Sequence, residues 1–152
     1  MRILEYFGLD PASRAHWRGE IGRADWPAAR FLCEMLDAGT VEAYCGSGPR
    51  LLLAAEGERL MAFCTLTERD EIRDTGLGPW IGFVYTYPEC RGRRLSGRLI
   101  EAACGMARAD GHSSVYISTN HAGLYEKYGF AFLWLMRGNG GDMARVYRRP
   151  LA

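Results

Sequence analysis

The densest chemistry in this sequence follows Pro88, where Arg91, Arg93, Arg94 and Arg98 surround Gly92 and a helical pattern begins directly behind them. The first N–H groups of a helix lack an intrahelical acceptor and, together with the helix dipole, hold anions well. Gly92 lets the main chain approach a ligand closely, and guanidinium groups fork onto phosphate oxygens. This combination suits a pyrophosphate. Two common phosphate motifs are excluded: the Gly-Lys-Ser/Thr ending of a P-loop is absent, and the glycines do not fall at Gly-x-Gly-x-x-Gly spacing. A solvated basic face that binds any polyanion would use the same arginines. That reading is weakened by 19 Lys+Arg against 18 Asp+Glu, a net charge of +1 that gives no large field for nucleic acid or an anionic membrane.

Other reactive side chains are dispersed. Cys33, Cys45, Cys64, Cys90 and Cys104 show no Cys-x-x-Cys pairing and no histidine at ligand spacing, so reduced thiols and no metal site are expected. Cys90 adjoins the arginine turn, but His16, His112 and His121 are not spaced to activate it as a nucleophile. Acids gather just upstream, at Glu68, Asp70, Glu71 and Asp74, in a polar stretch without apolar period.

The elements that must position these groups follow from periodicity. Asp10 and Pro11 read as a helix start, and Pro27 restarts a helix whose Phe31, Leu32, Met35 and Leu36 keep three-and-four spacing up to Gly39. Two helices are predicted, over 11–22 and 26–38. Arg50 to Ala55 and Leu60 to Thr67 form a hairpin across Glu56, Gly57 and Glu58. Glu68 to Gly78 is an irregular excursion, and Trp80 to Tyr87 a strand stopped by Pro88. Leu95, Leu99, Ala102, Ala103 and Met106 mark the strongest helix, ending before Gly111. Val115–Thr119 is a strand, His121–Tyr128 a short helix, and Phe130–Met136 and Met143–Arg148 are strands. The result is an α/β mixed sheet covered by helices on both faces, in one domain over 1–152. No apolar run approaches the length of a membrane span and no secretion signal follows Met1, so a cytoplasmic protein is expected.

The run Pro88, Glu89, Cys90, Arg91, Gly92, Arg93, Arg94, Leu95, Ser96, Gly97 resembles the acetyl-CoA segment of the GNAT superfamily, which reads strand, proline, Arg/Gln-x-x-Gly-x-Gly/Ala, helix. It departs from that pattern at Arg94, where glycine is usual, and at Ser96. Downstream, Leu124, Tyr125, Glu126, Lys127, Tyr128, Gly129, Phe130 is similar to the family's closing Tyr-Glu-Lys-x-Gly-Phe element. The resemblance implies a twisted, mostly antiparallel sheet of six to seven strands and an N-acetyltransferase, an acyltransferase that uses acetyl-CoA and no metal. It implies cofactor contacts from Val84, Tyr85, Thr86, Arg91, Gly92, Arg93, Arg94, Leu95, Ser96, Gly97 and Asn120. The acceptor would be a small-molecule, peptide or protein amine. A non-catalytic acyl-CoA sensor or regulatory subunit of the same fold is the alternative, and an edge strand near the C-terminus offers a surface for a homodimer.

Acetyl transfer to an amine needs a neutral nucleophile, a donor to the carbonyl oxygen and a proton for the leaving thiolate. A lysine-like amine, with a pKa near ~10.4, must lose a proton first. Among the four acids, Glu71 is the expected base. A backbone N–H around Tyr85 is the expected oxyanion donor. Tyr125 is, by resemblance, the acid that protonates the sulfur, while Tyr128 is read as a packed aromatic.

Overall fold

In a computed structural model describing residues 1–73, 75–138 and 141–151, the hairpin strands are the centre of the molecule. β2 (Arg50–Glu56) and β3 (Arg59–Thr67) are buried along almost their whole length, because helices cover both of their faces. Seven strands form one sheet, in the order β1-β2-β3-β4-β5-β7-β6. The remaining strands are β1 (Arg2–Glu5), β4 (Trp80–Thr86), β5 (Ser114–Thr119), β6 (Ala131–Arg137) and β7 (Met143–Pro150). Among the described residues β4 and β5 pair in parallel and the other strand pairs are antiparallel.

Helix α1 (Pro11–Ile21) is capped by Asp10, whose carboxylate accepts the Ser13 N–H at 2.8 Å, with Pro11 in its first turn. Helix α2 (Pro27–Ala38) ends at Gly39, which takes a left-handed φ of 70°. A short helix α3 (Val41–Cys45) follows, and α4 (Leu95–Ala109) buries the stripe Leu95, Leu99, Ile100, Ala103, Cys104 and Ala107. Alternation along β3 separates the helices into two layers. Phe63 meets Tyr85, on which Trp26 at the head of α2 stacks, whereas Cys64 feels the Cys104 thiol of α4 on the opposite face.

Strand β1 and helix α3 were not expected, since four and five residues are too short for periodicity to register. The expected helix over His121–Tyr128 is corrected: the segment bends, and only Glu126–Tyr128 makes a 3₁₀ turn. Gly123 sits at φ 83°, and its N–H is taken by the Glu126 carboxylate, so the chain cannot nucleate an α-helix there. The excursion is irregular over 68–73 and 75–78, as expected, yet Ile72 is buried in a small cluster with Trp80, Ala144 and Val146. The C-terminal edge is β6, because β7 threads between it and β5; Phe132, Trp134 and Leu135 of β6 are exposed. Among the described residues, no helix is long and apolar enough to cross a membrane.

Candidate functional site

Strands β4 and β5 are paired only at Trp80↔Tyr116 and Ile81↔Ile117. Past Ile81, β4 has no strand partner on that side among the described residues. On its other side the register slips, so that Phe83 and Val84 together oppose Cys64, and Phe83 takes a left-handed φ of 49°. A non-glycine residue in that conformation costs about 1–2 kcal/mol, and the bulge turns the end of β4 away from β5. Between the parted strands lies a cleft of about 1020 Å³.

One end of the cleft is the turn into α4. Gly92 adopts φ 83°, and Arg94, the residue before the helix, adopts φ 59° and ψ 29° without a side-chain cap. Arg94 thus takes the left-handed conformation that glycine adopts at least cost, at the position where the resembling motif has glycine. Among the described residues, no backbone N–H from Gly92 to Gly97 has an acceptor within the protein; the first such bond is Arg98 N–H to Arg94 O. Arg91 is braced by its Nε on the Thr86 carbonyl at 3.0 Å, and the Thr86 and Ser96 hydroxyls meet at 3.0 Å, tying the strand end to the helix start.

Of the residues singled out in the sequence, Val84, Thr86, Arg91, Gly92, Arg94, Leu95, Ser96, Asn120, Tyr125 and Glu71 line this cleft. Three do not present side chains to it. The Arg93 guanidinium points back to Met61 Sδ and Glu56, the Tyr85 ring packs on Trp26 and Phe63, and Gly97 lies against Tyr128. A Cβ at Gly97 would stand 2.8 Å from Tyr128 Cε1, so even alanine there displaces the ring. Asp74 lies outside the described residues.

Tyr125 is 7% exposed, and its phenol is pushed up to about 12, mainly by burial, with smaller contributions from Cys64 and Tyr128. The neighbouring Cys64 thiol is also pushed up to about 12 by burial. Burial thus disfavours the charged form of both groups, and a thiolate formed beside them is made more basic in the same direction.

Two of the acids, Asp70 and Glu71, reach the cleft and meet different neighbours. Glu71 lies near Gly138, whereas Asp70 is folded over the floor of the cleft. A Cβ on Gly82 would overlap Asp70 Oδ2 and stand 3.2 Å from Thr65 Oγ1, so this strand position accepts only glycine. Asp70 Oδ1 accepts the Glu71 N–H at 2.7 Å; Thr65 Oγ1 is buried without a partner among the described residues. Burial, followed at a distance by the Glu71 charge, raises the Asp70 carboxyl to about 7, against the lowering effects of the Glu71 N–H and Arg73. The loop is pinned by Arg69 N–H to Cys45 O at 2.8 Å and by Arg73 to Tyr44 O at 2.7 Å. The sequence signal that sets Asp70 apart from its acidic neighbours is Gly82, an isolated glycine inside an aromatic and β-branched strand.

A helix start with open N–H groups, set beside a strand pair that parts around a bulge, is the acyl-CoA arrangement that the two sequence motifs imply. The family model described as "Acetyltransferase (GNAT) family" matches residues 14–130. The chain belongs to the GNAT acetyltransferase family and is an acetyl-CoA-dependent N-acetyltransferase. Among curated proteins, none matches the sequence significantly. Solved structures share the fold. An aminoglycoside 6'-acetyltransferase type Ii superposes with a TM-score of 0.72 at 16% identity, over 100% of this chain and 98% of its own. An aminoglycoside 6'-N-acetyltransferase complexed with coenzyme A gives 0.69 at 14%, over 100% and 98%. A GNAT acetyltransferase from Staphylococcus aureus Mu50 gives 0.64 at 14%, over 99% of both chains.

Proposed function

We propose that this enzyme passes the acetyl group of acetyl-CoA directly to a primary amine while both substrates are bound, with no acetylated protein intermediate. The observation that carries this reading is the run of acceptorless N–H groups from Gly92 to Gly97 opening onto the gap between β4 and β5. Acetyl-CoA supplies an electrophilic thioester carbonyl. The open N–H groups, with Arg91 and Arg94, hold its diphosphate; the free edge of β4 at Val84–Thr86, with Asn120 opposite, holds its pantetheine arm. A backbone N–H of the bulged segment around Tyr85 donates to the carbonyl oxygen as charge builds on it. Tyr125 gives its proton to the departing sulfur.

For the base we favour Asp70 over Glu71. A carboxylate poised near the working pH can take a proton from an ammonium group and release it again, and the deeper position of Asp70 brings it closer to the open end of β4. Cys90 and His121 both line the cleft, but among the described residues no hydrogen bond joins them, which supports direct attack over an acetyl-cysteine.

Incubation of the pure protein with acetyl-CoA and a panel of amines tests the reading. Free thiol should appear only when an amine is present, matched by an acetyl mass gain on that amine. Coenzyme A binding without thiol release from any amine would favour a regulatory binding protein instead.

A homodimer is proposed through β6, whose antiparallel edge can pair with itself about a two-fold axis and cover Phe132, Trp134 and Leu135. Sedimentation should give twice the chain mass for the wild type and the single mass for Trp134→Lys.

A further inference from the structure

We infer that the acceptor is a primary monoamine carried on an aromatic or compact apolar body without a carboxylate, seated against Trp26, Phe31, Tyr44 and Phe83 with its nitrogen at Asp70. This inference rests on the acetyl-transfer reading and specifies its substrate.

The four rings and Asp70 all line the cleft. Phe31 meets the edge of Tyr44 at 5.0 Å and stacks towards Phe83 at 6.4 Å, while Trp26 lies flat on Tyr85 at 5.3 Å. Phe31 remains 39% exposed although it sits in a concavity, an apolar surface left uncovered where a ligand enters. Tyr44 is kept in place from behind by Arg73, whose guanidinium lies 4.3 Å from its ring centroid. Phe83, held at its unusual φ, joins this wall to Gly82, over which the Asp70 carboxylate lies.

Charge narrows the class further. The carboxylates lining the cleft are Asp70 and Glu71, adjacent in sequence, whereas its arginines and lysine, Arg91, Arg94 and Lys127, belong to the α4 turn and the 3₁₀ turn on the cofactor side. A polycationic, polyhydroxylated sugar would place most of its ammonium and hydroxyl groups against hydrocarbon, with their hydrogen bonds unmade. An amino acid would bring its own carboxylate up to Asp70. A single ammonium on a flat apolar body meets neither penalty.

The chemistry balances on these groups. The bound ammonium loses one proton to Asp70, which passes it to solvent; the nitrogen lone pair forms the new C–N bond, the thioester C–S bond breaks, and the sulfur takes the Tyr125 proton. The acylated nitrogen then gives its second proton to Asp70, which releases it in turn, and the phenol is restored from solvent.

Phenethylamine, phenylalanine, spermidine and kanamycin form the deciding panel, read by thiol release and, separately, by calorimetry on coenzyme A-loaded protein. Phenethylamine should exceed each of the others at least about 100-fold in kcat/KM, the discrimination expected when polar groups are left unpaired. Phe31→Ala, altering an exposed residue, should raise the phenethylamine KM and Kd about ten-fold with coenzyme A affinity retained. Comparable turnover of kanamycin or phenylalanine, or an unmoved Kd in Phe31→Ala, overturns the inference and leaves acetyl transfer standing. Coenzyme A binding without thiol release from any of the four, or from a wider amine panel, overturns both.

Discussion

Asp70→Asn should slow acetyl transfer by about 10²-fold or more while leaving the protein more stable than the wild type at pH 8. The loss reflects what a positioned proton acceptor contributes. Because the Asp70 carboxyl is raised to about 7, wild-type kcat should climb through that region as the carboxylate forms, and the asparagine variant should lose that limb. The stability effect has the opposite sign to the catalytic one. A group whose folded pKa lies above its unfolded value stabilises the fold fully below the unfolded value, near ~3.9, and this contribution is lost as pH rises through about 7. Above that, the ionised form is held in unfavourable surroundings over Gly82. Asparagine removes the charge, so a gain on the order of 1–2 kcal/mol is expected at pH 8 after allowance for solvent screening of a partly exposed group, shrinking towards pH 5. Chemical denaturation at the two pH values, alongside the pH–rate profile, reads both effects. Glu71→Gln should retain most of the rate. A stable Asp70→Asn protein with wild-type kcat and an unchanged profile would remove Asp70 from the reaction.

Tyr125→Phe should reduce kcat by about 10²-fold, with coenzyme A affinity nearly unchanged. The phenol, pushed up to about 12 by burial, remains protonated throughout the working range and always has a proton to give. In water such a weak acid would be a poor donor to a thiolate; in this cleft the same burial acts on the thiolate, as it does on the Cys64 thiol. The ring packs against Phe130 at 6.1 Å, and phenylalanine preserves that contact, so little stability should be lost. Calorimetric titration of coenzyme A separates a chemical defect from a binding one, and an unaltered kcat would assign the tyrosine to packing alone. A linear loss of both affinity and rate would point the same way.

The arginine turn was legible because its signals are local: Pro88 stops a strand, Gly92 supplies a positive φ, and the apolar stripe from Leu95 marks the helix behind it. The same locality made the hairpin readable, since Glu56, Gly57 and Glu58 separate two apolar runs. Asp70 could not be told from Glu71 by such means. Their difference is set by distant tethers, Arg69 on Cys45, Arg73 on Tyr44 and Ile72 beneath Trp80, which decide the face each carboxylate meets. Arg93 and Arg94 illustrate the same limit. Adjacent in sequence, they leave the backbone in different directions because only Arg94 takes the left-handed conformation, and nothing in two consecutive arginines announces it. Helical spacing around Tyr125 misled for the converse reason: a single side chain-to-backbone bond, Glu126 to Gly123, outweighed a weak periodic pattern.

The parting of β4 from β5 interrupts the ladder that runs through the rest of the sheet. Two rungs join the halves of the sheet at Trp80 and Ile81, and beyond them the seam is held by neighbouring elements rather than by the ladder itself. A substrate arm lying in that seam, with amide groups of its own, occupies the place of an absent strand. Occupancy would then harden the molecule where it is weakest, so that part of the affinity for the donor reappears as resistance to unfolding, and the enzyme is sturdiest when loaded and ready to react.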